Sequence, residues 1–151
     1  MTSVFKVHRT IREIFLKILE QHSVEQLNKI PEGFNNNIIW NAAHCIASQQ
    51  VLVYKLSGLP TMVSDDFINK YKKGTKPEGD VSQAEVDEIK TLLISTLLRT
   101  ERDYANAVFN NYTAYTTSMG NELTNTDDAL NFVSYHEGMH TGVVMSIRKL
   151  I

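Results

Sequence analysis

Four stretches of the chain repeat apolar side chains every three or four residues, the spacing of one face of an α-helix. The first, about Val4 to His22, carries Val4, Val7, Ile11, Ile14, Phe15, Ile18 and Leu19, with Ser3 placed to cap the free amides of the first turn. "KIPEGFNNN" interrupts the period. The second, about Asn36 to Leu56, repeats Ile39, Ala43, Ile46, Val53 and Leu56 and stops at "SGLP", a glycine followed by a proline. The third, about Ser82 to Phe109, has the cleanest stripe: Val86, Ile89, Leu93, Leu97, Tyr104 and Val108. The fourth starts near Thr126, a good cap followed by Asp127 and Asp128, whose charge suits the positive end of a helix dipole, and runs on to the C-terminus.

No stretch shows the two-residue period of a strand, and there is no internal repeat, so the pattern predicts an all-α four-helix bundle. The link between helices two and three, "SGLPTMVSDDFINKYKKGTKPEGD", is 24 residues long, with room for a short helix near Ser64 to Tyr71. A link of that length lets helices two and three run in the same direction, as in bundles with a crossover.

Composition narrows the function classes. A chain of 151 residues is expected to form one domain, 1–151, able to bury an apolar core without staples. Its 15 basic and 17 acidic residues are dispersed, and a net charge of −2 offers no basic field for nucleic acid. Cys45 is alone, so no intramolecular disulfide is expected. The charged, helical N-terminus lacks the apolar core of a secretory signal, and no apolar run nears the roughly 20 residues of a membrane span. The expectation is a cytoplasmic protein with neither membrane nor nucleic-acid partners.

The last helix carries "SYHEGMHTGVVMSIRKLI", in which His136 and His140 share a face with Val133, Val144 and Ile147. Two helical histidines four apart can converge on one metal ion at about 2.0–2.1 Å from each nitrogen, but chance also produces such pairs. His44 is the candidate third ligand: it lies 12 residues before the expected end of helix two, and the midpoint of His136 and His140 lies 12 residues after Thr126. In antiparallel helices the three rings then reach the same depth, roughly 18 Å at 1.5 Å per residue. Three imidazoles and an open position describe a catalytic rather than a structural zinc-type site, and nickel, iron or cobalt accept the same ligands.

"NNNIIWNAAHCIA", followed by "HEGMH" and "IRKL", resembles the DinB-like superfamily, and the order of the four helices extends the resemblance over essentially the whole chain. The resemblance implies an up-down-down-up bundle in which the histidine of W-x-x-x-H on helix two joins the H-x-x-x-H pair of helix four around a metal ion. By position these are His44, His136 and His140. It further implies a divalent ion, zinc or nickel first, a small-molecule substrate and a homodimer. Characterised relatives include bacillithiol transferases and mycothiol-dependent isomerases, in which the metal activates a low-molecular-weight thiol, and others are assigned as metal-dependent hydrolases. The expected function is thus a metal-dependent thiol S-transferase or hydrolase, and the alternative is a non-catalytic metal-binding or interaction module. Two positions depart from the family pattern: Val143 stands where many members have glutamine, and Gln49 or Gln50 where some have glutamate.

The remaining candidates carry plainer readings. Trp40, one turn before His44, is read first as core packing and second as a contact for a bound cofactor. Cys45 points off the ligand face and reads as a small buried apolar residue. His22 ends helix one, His8 has no evident partner, and Met139 and Met145 read as core filler. "KYKKGTK" reads as a solvated loop. For a general base, Glu137 and Tyr135 are turned about 100° from His136 by one helical step, while Asp65, Asp66 or Glu85 could reach the site from the long connection.

Overall fold

The computed structural model describes residues 3–151. Four long helices carry the fold: α1 (Ser3–Gln21), α3 (Ile38–Gln49), α5 (Gln83–Ala105) and α6 (Thr126–Ile147), with the shorter α2 (Val24–Asn28) and α4 (Asp65–Tyr71) between them. Side-chain pairings fix their directions. Phe5 packs on Tyr104 and Arg9 pairs with Glu101 at 2.7 Å, so α1 and α5 are antiparallel. Gln49 donates to Thr100 Oγ1 (2.9 Å) and Tyr54 to Asp103 (2.8 Å), so the chain through α3 runs parallel to α5. Asn41 meets His140 and His44 meets His136, which sets α3 antiparallel to α6. His8 meets Leu130 and Arg12 meets Glu137, so α1 and α6 are parallel. These pairings give an up-down-down-up bundle, and the 58–82 segment is the connection that lets α3 and α5 run alike.

Local chemistry explains most boundaries. Asn37 Oδ1 accepts from the Trp40 amide at 2.9 Å to start α3, Ser64 caps α4, and Ser82 caps α5. α6 is capped by Asn125, which accepts from the Asp128 amide at 2.9 Å, so Thr126 is its first residue rather than its cap. Ser3 likewise is already helical. Beyond Gln49 the chain widens into a π-helical turn, Gln50–Tyr54, then tightens into a 3₁₀ turn, Lys55–Ser57, which ends at Gly58 in the left-handed conformation (φ 71°). The segment between α5 and α6 carries a small antiparallel hairpin, β1 (Tyr115–Thr116) with β2 (Glu122–Leu123), against the expectation of no strand.

The core has an apolar cluster at each end of the bundle. One contains Phe15, Leu19, Ile39, Ile46, Ile89, Leu93 and Val144; the other Phe5, Val53, Leu97, Leu130 and Val133. Between them each long helix contributes a buried polar residue: Arg12, Gln49, Thr96 and Glu137. This layer corrects the expected stripe of α1. Val7 and Ile14 are 48% and 37% exposed, and the buried face carries Phe5, His8 and Arg12 instead. Arg12 is tolerated there because Glu137, itself fully buried, accepts from Nε (3.0 and 3.1 Å) and Nη2 (2.5 Å). His8, expected to lack a partner, donates from Nε2 to the Leu130 carbonyl at 3.0 Å.

Candidate metal centre

α3 and α6 face each other across the bundle, and helical spacing builds the site from two short ladders. On α3 these are Asn41, His44 and Ser48, and on α6 Phe132, His136 and His140. Ligand nitrogens of His44, His136 and His140 lie within 4.8 Å of one another, and the ring centroids are 4.6–5.0 Å apart.

The outer nitrogens decide which inner ones can bind. His44 Nδ1 is 2.7 Å from the Tyr71 carbonyl, which can only accept, so Nδ1 carries the proton and Nε2 the lone pair. His140 Nδ1 is 2.7 Å from Asn41 Oδ1. The Asn41 amide cannot be turned over, because its Nδ2 donates to the Asn37 carbonyl (2.7 Å) and to Asn36 Oδ1 (2.8 Å). His140 is therefore also protonated on Nδ1 and presents Nε2. An oxygen acceptor behind each ring fixes the tautomer in the manner usual for metal-bound histidine. His136 Nε2 approaches His44 Nε2 to 3.2 Å, while its buried Nδ1 has no hydrogen-bond partner.

Burial strips the rings of their charge. It is the main cause that lowers the pKa of all three, pushing His136 down to about 4 and His140 to about 3, with neighbouring imidazoles adding to the effect in those two. At neutral pH the lone pairs are free. A single proton on His136 Nε2 can serve one of the two fixed acceptor nitrogens, whereas a cation between the rings satisfies all three. Two nitrogens 3.2 Å apart that share an ion at about 2.0–2.1 Å subtend roughly 100° at it, near the tetrahedral angle. The residues present thus fit a divalent ion, and the cluster could hold one.

Aromatic packing holds two of the rings. Trp40 stacks flat on His44 (4.7 Å between centroids, 9° between planes), its Nε1 donating to Thr75 Oγ1 at 3.3 Å, and Phe132 lies against His136 at 6.1 Å. A cavity of about 310 Å³, which Trp40 does not line, opens onto His44, His136 and Ser48, whose hydroxyl is 3.4 Å from His44 Nε2. Trp40 lines a different cavity, about 370 Å³, formed with residues 69–71 and 75–81.

The other candidates are placed elsewhere. Glu137 is locked to Arg12 and faces α1. Tyr135, Asp65 and Asp66 are exposed, and Glu85 is bound by Lys70 (2.6 Å) and the Tyr71 hydroxyl (2.5 Å). None of these five lines the cavity beside the histidines. Cys45 is fully buried, and burial raises its thiol pKa, so it stays protonated. His22 donates from Nδ1 to the Ile18 carbonyl (2.7 Å) just past α1. Gln49 bonds Thr100, Gln50 accepts from the Met62 amide (2.8 Å), and Val143 packs against the core. Asn41, Ser48 and Phe132 went unnoticed in the sequence, although they lie three or four residues from a candidate ligand and so share its helix face.

A helical bundle with a three-histidine cluster between its second and fourth long helices, His44 buried and His136 and His140 partly so, is the class that this fold and site define. Residues 8–144 match the model of the DinB superfamily, and the chain belongs to that superfamily. The crystal structure of a conserved protein from Enterococcus faecalis has a similar fold, with a TM-score of 0.69 at 14% identity, covering 100% of this chain and 98% of that one. No curated protein matches the sequence.

Proposed function

We propose that the chain is a metal-dependent enzyme in which a divalent ion, zinc or nickel first, is held by His44, His136 and His140 and a small-molecule thiol or water is activated for S-transfer or hydrolysis. The observation that carries this reading is the fixed pair of tautomers: the Tyr71 carbonyl and the Asn41 amide aim two Nε2 lone pairs at one place beside a cavity. When bound, such an ion supplies the positive charge that lowers the pKa of a thiol or water to near neutrality. Tyr71 and Asn41 hold the rings against rotation, and Trp40 covers one face of His44. The Ser48 hydroxyl stands where it can hydrogen-bond an incoming group.

One observation favours a non-catalytic metal-binding module: the cavity lining includes no carboxylate to act as a general base. Two measurements separate the readings. Metal analysis of the native protein is expected to give about one ion per chain, and none in H136A/H140A. Equal, substoichiometric metal in both would remove the site assignment. Incubation of the metal-loaded protein with a thiol and a halogenated arene is then expected to show turnover that a chelator abolishes. Full metal occupancy without such turnover establishes the binding module instead.

A further inference from the structure

We infer that the cavity beside His44 and His136 takes a small molecule with an apolar body and an anionic end group, the anion being held by Lys72 and Lys73. The inference deepens the metal-centre reading and rests on it for the reacting end of the molecule; the charge preference rests on the cavity itself. At about 310 Å³ the space suits a small molecule rather than a macromolecular segment. Val51, Leu52, Leu56 and Phe132 give it an apolar wall, and the charged side chains among its lining are Lys72 and Lys73, with no carboxylate beside them.

Neither ammonium group is paired with a carboxylate among the described residues. Two residues earlier, Lys70 is paired with Glu85 at 2.6 Å, whereas Lys72 Nζ donates to the neutral amide oxygen of Asn69 (3.0 Å). The backbone also gives them a fixed relation to the metal cluster, because Tyr71, whose carbonyl holds His44 Nδ1, immediately precedes them. One short segment thus orients a ligand ring and delivers two cations to the mouth of the adjoining cavity. The cavity next to Trp40 shows no such bias, since its lining includes the carboxylates Glu78 and Asp80 as well as Lys70 and Lys76. An occupant with its anion on the lysines lays its body along α3 and Phe132 and turns its other end toward His44, His136 and Ser48.

The test compares 6-mercaptohexanoate with its uncharged analogue 6-mercaptohexan-1-ol on the full chain. Calorimetry on metal-free protein is expected to show the carboxylate binding about tenfold tighter, the sum of two partly exposed ionic contacts, with the preference fading as salt is raised. K72E/K73E, at exposed positions, is expected to abolish the preference, and K72Q/K73Q to reduce it while circular dichroism stays native. Equal binding of the two probes, or a preference unchanged in K72E/K73E, overturns the inference. On cobalt-loaded protein a thiolate-to-cobalt absorption band should saturate at lower concentration with the carboxylate. A band that saturates equally with both probes leaves the metal centre standing and removes the lysine site. Absence of bound cobalt beside an intact calorimetric preference removes the metal centre and leaves the anion site.

Discussion

At the scale of single residues, the side chains that decide the chemistry are those behind the histidines. Asn41 is the clearest case, since its amide is held by two oxygen acceptors and offers its own oxygen to His140 Nδ1. In Asn41→Ala, His140 loses the partner that sets its tautomer and its rotation, and outer partners of this kind are typically worth about 10–100-fold in metal affinity. The expected outcome is that loss in a competition titration with a chromophoric chelator. Urea unfolding of the metal-free variant should show a cost of only about 1–2 kcal/mol, because His140 Nδ1 is left buried without an acceptor while the fold remains. An unchanged affinity would mean that His140 is not a ligand.

At the scale of elements, what is legible in a sequence is what a helical period encodes. α6 was readable almost to its ends and α5 at its start, because their stripes are apolar, but α5 stops at Ala105, so Val108, expected in its stripe, lies beyond the helix and is 36% exposed. α1 was read with the wrong edge, since Arg12 and His8 count as polar in any pattern and are buried only through partners about 120 residues away. The π-helical turn at Gln50–Tyr54 was invisible for a different reason: one residue inserted into a helix shifts the period by 100° without breaking it. The hairpin has two-residue strands, too short to alternate. The three histidines were legible through spacing and depth, whereas Lys72 and Lys73 could be assigned to the cavity only once the long connection was folded against α3. The start of α3 offers a test at this scale. Asn37 both caps the helix and donates from Nδ2 to the Asn28 carbonyl (2.9 Å), and it is buried, whereas Ser82 caps α5 in the open. Asn37→Ala should cost about 2–3 kcal/mol in denaturant unfolding, a cap plus an orphaned carbonyl, against about 1 kcal/mol for Ser82→Ala. Equal costs would show that the Asn28 contact contributes nothing.

For the whole molecule, placing three imidazoles in one layer makes folding depend on protons. In the unfolded chain such rings titrate near 6.5, while in the fold His136 is held down to about 4 and His140 to about 3, with His44 and His8 also lowered, burial being the leading cause in each. Below about pH 6.5 the unfolded chain therefore binds protons that the folded chain refuses. The stability of the metal-free protein is complete above that pH and is lost as pH falls toward 4 and then 3, each such ring adding a slope of at most about 1.4 kcal/mol per pH unit. Urea midpoints at about pH 7.5, 6 and 5 should fall in that order, in a window where most carboxylates stay ionised. H136Q/H140Q should flatten the fall without abolishing it, because His44 and His8 remain. Zinc supplied at a hundredfold over its Kd should add about 2.7 kcal/mol near pH 7.5. That increment should shrink in the same acidic window, since the ion and the protons compete for the same lone pairs. A native pH slope in the double variant would show that these rings do not titrate with folding, and a zinc increment that persists there would place the ion elsewhere.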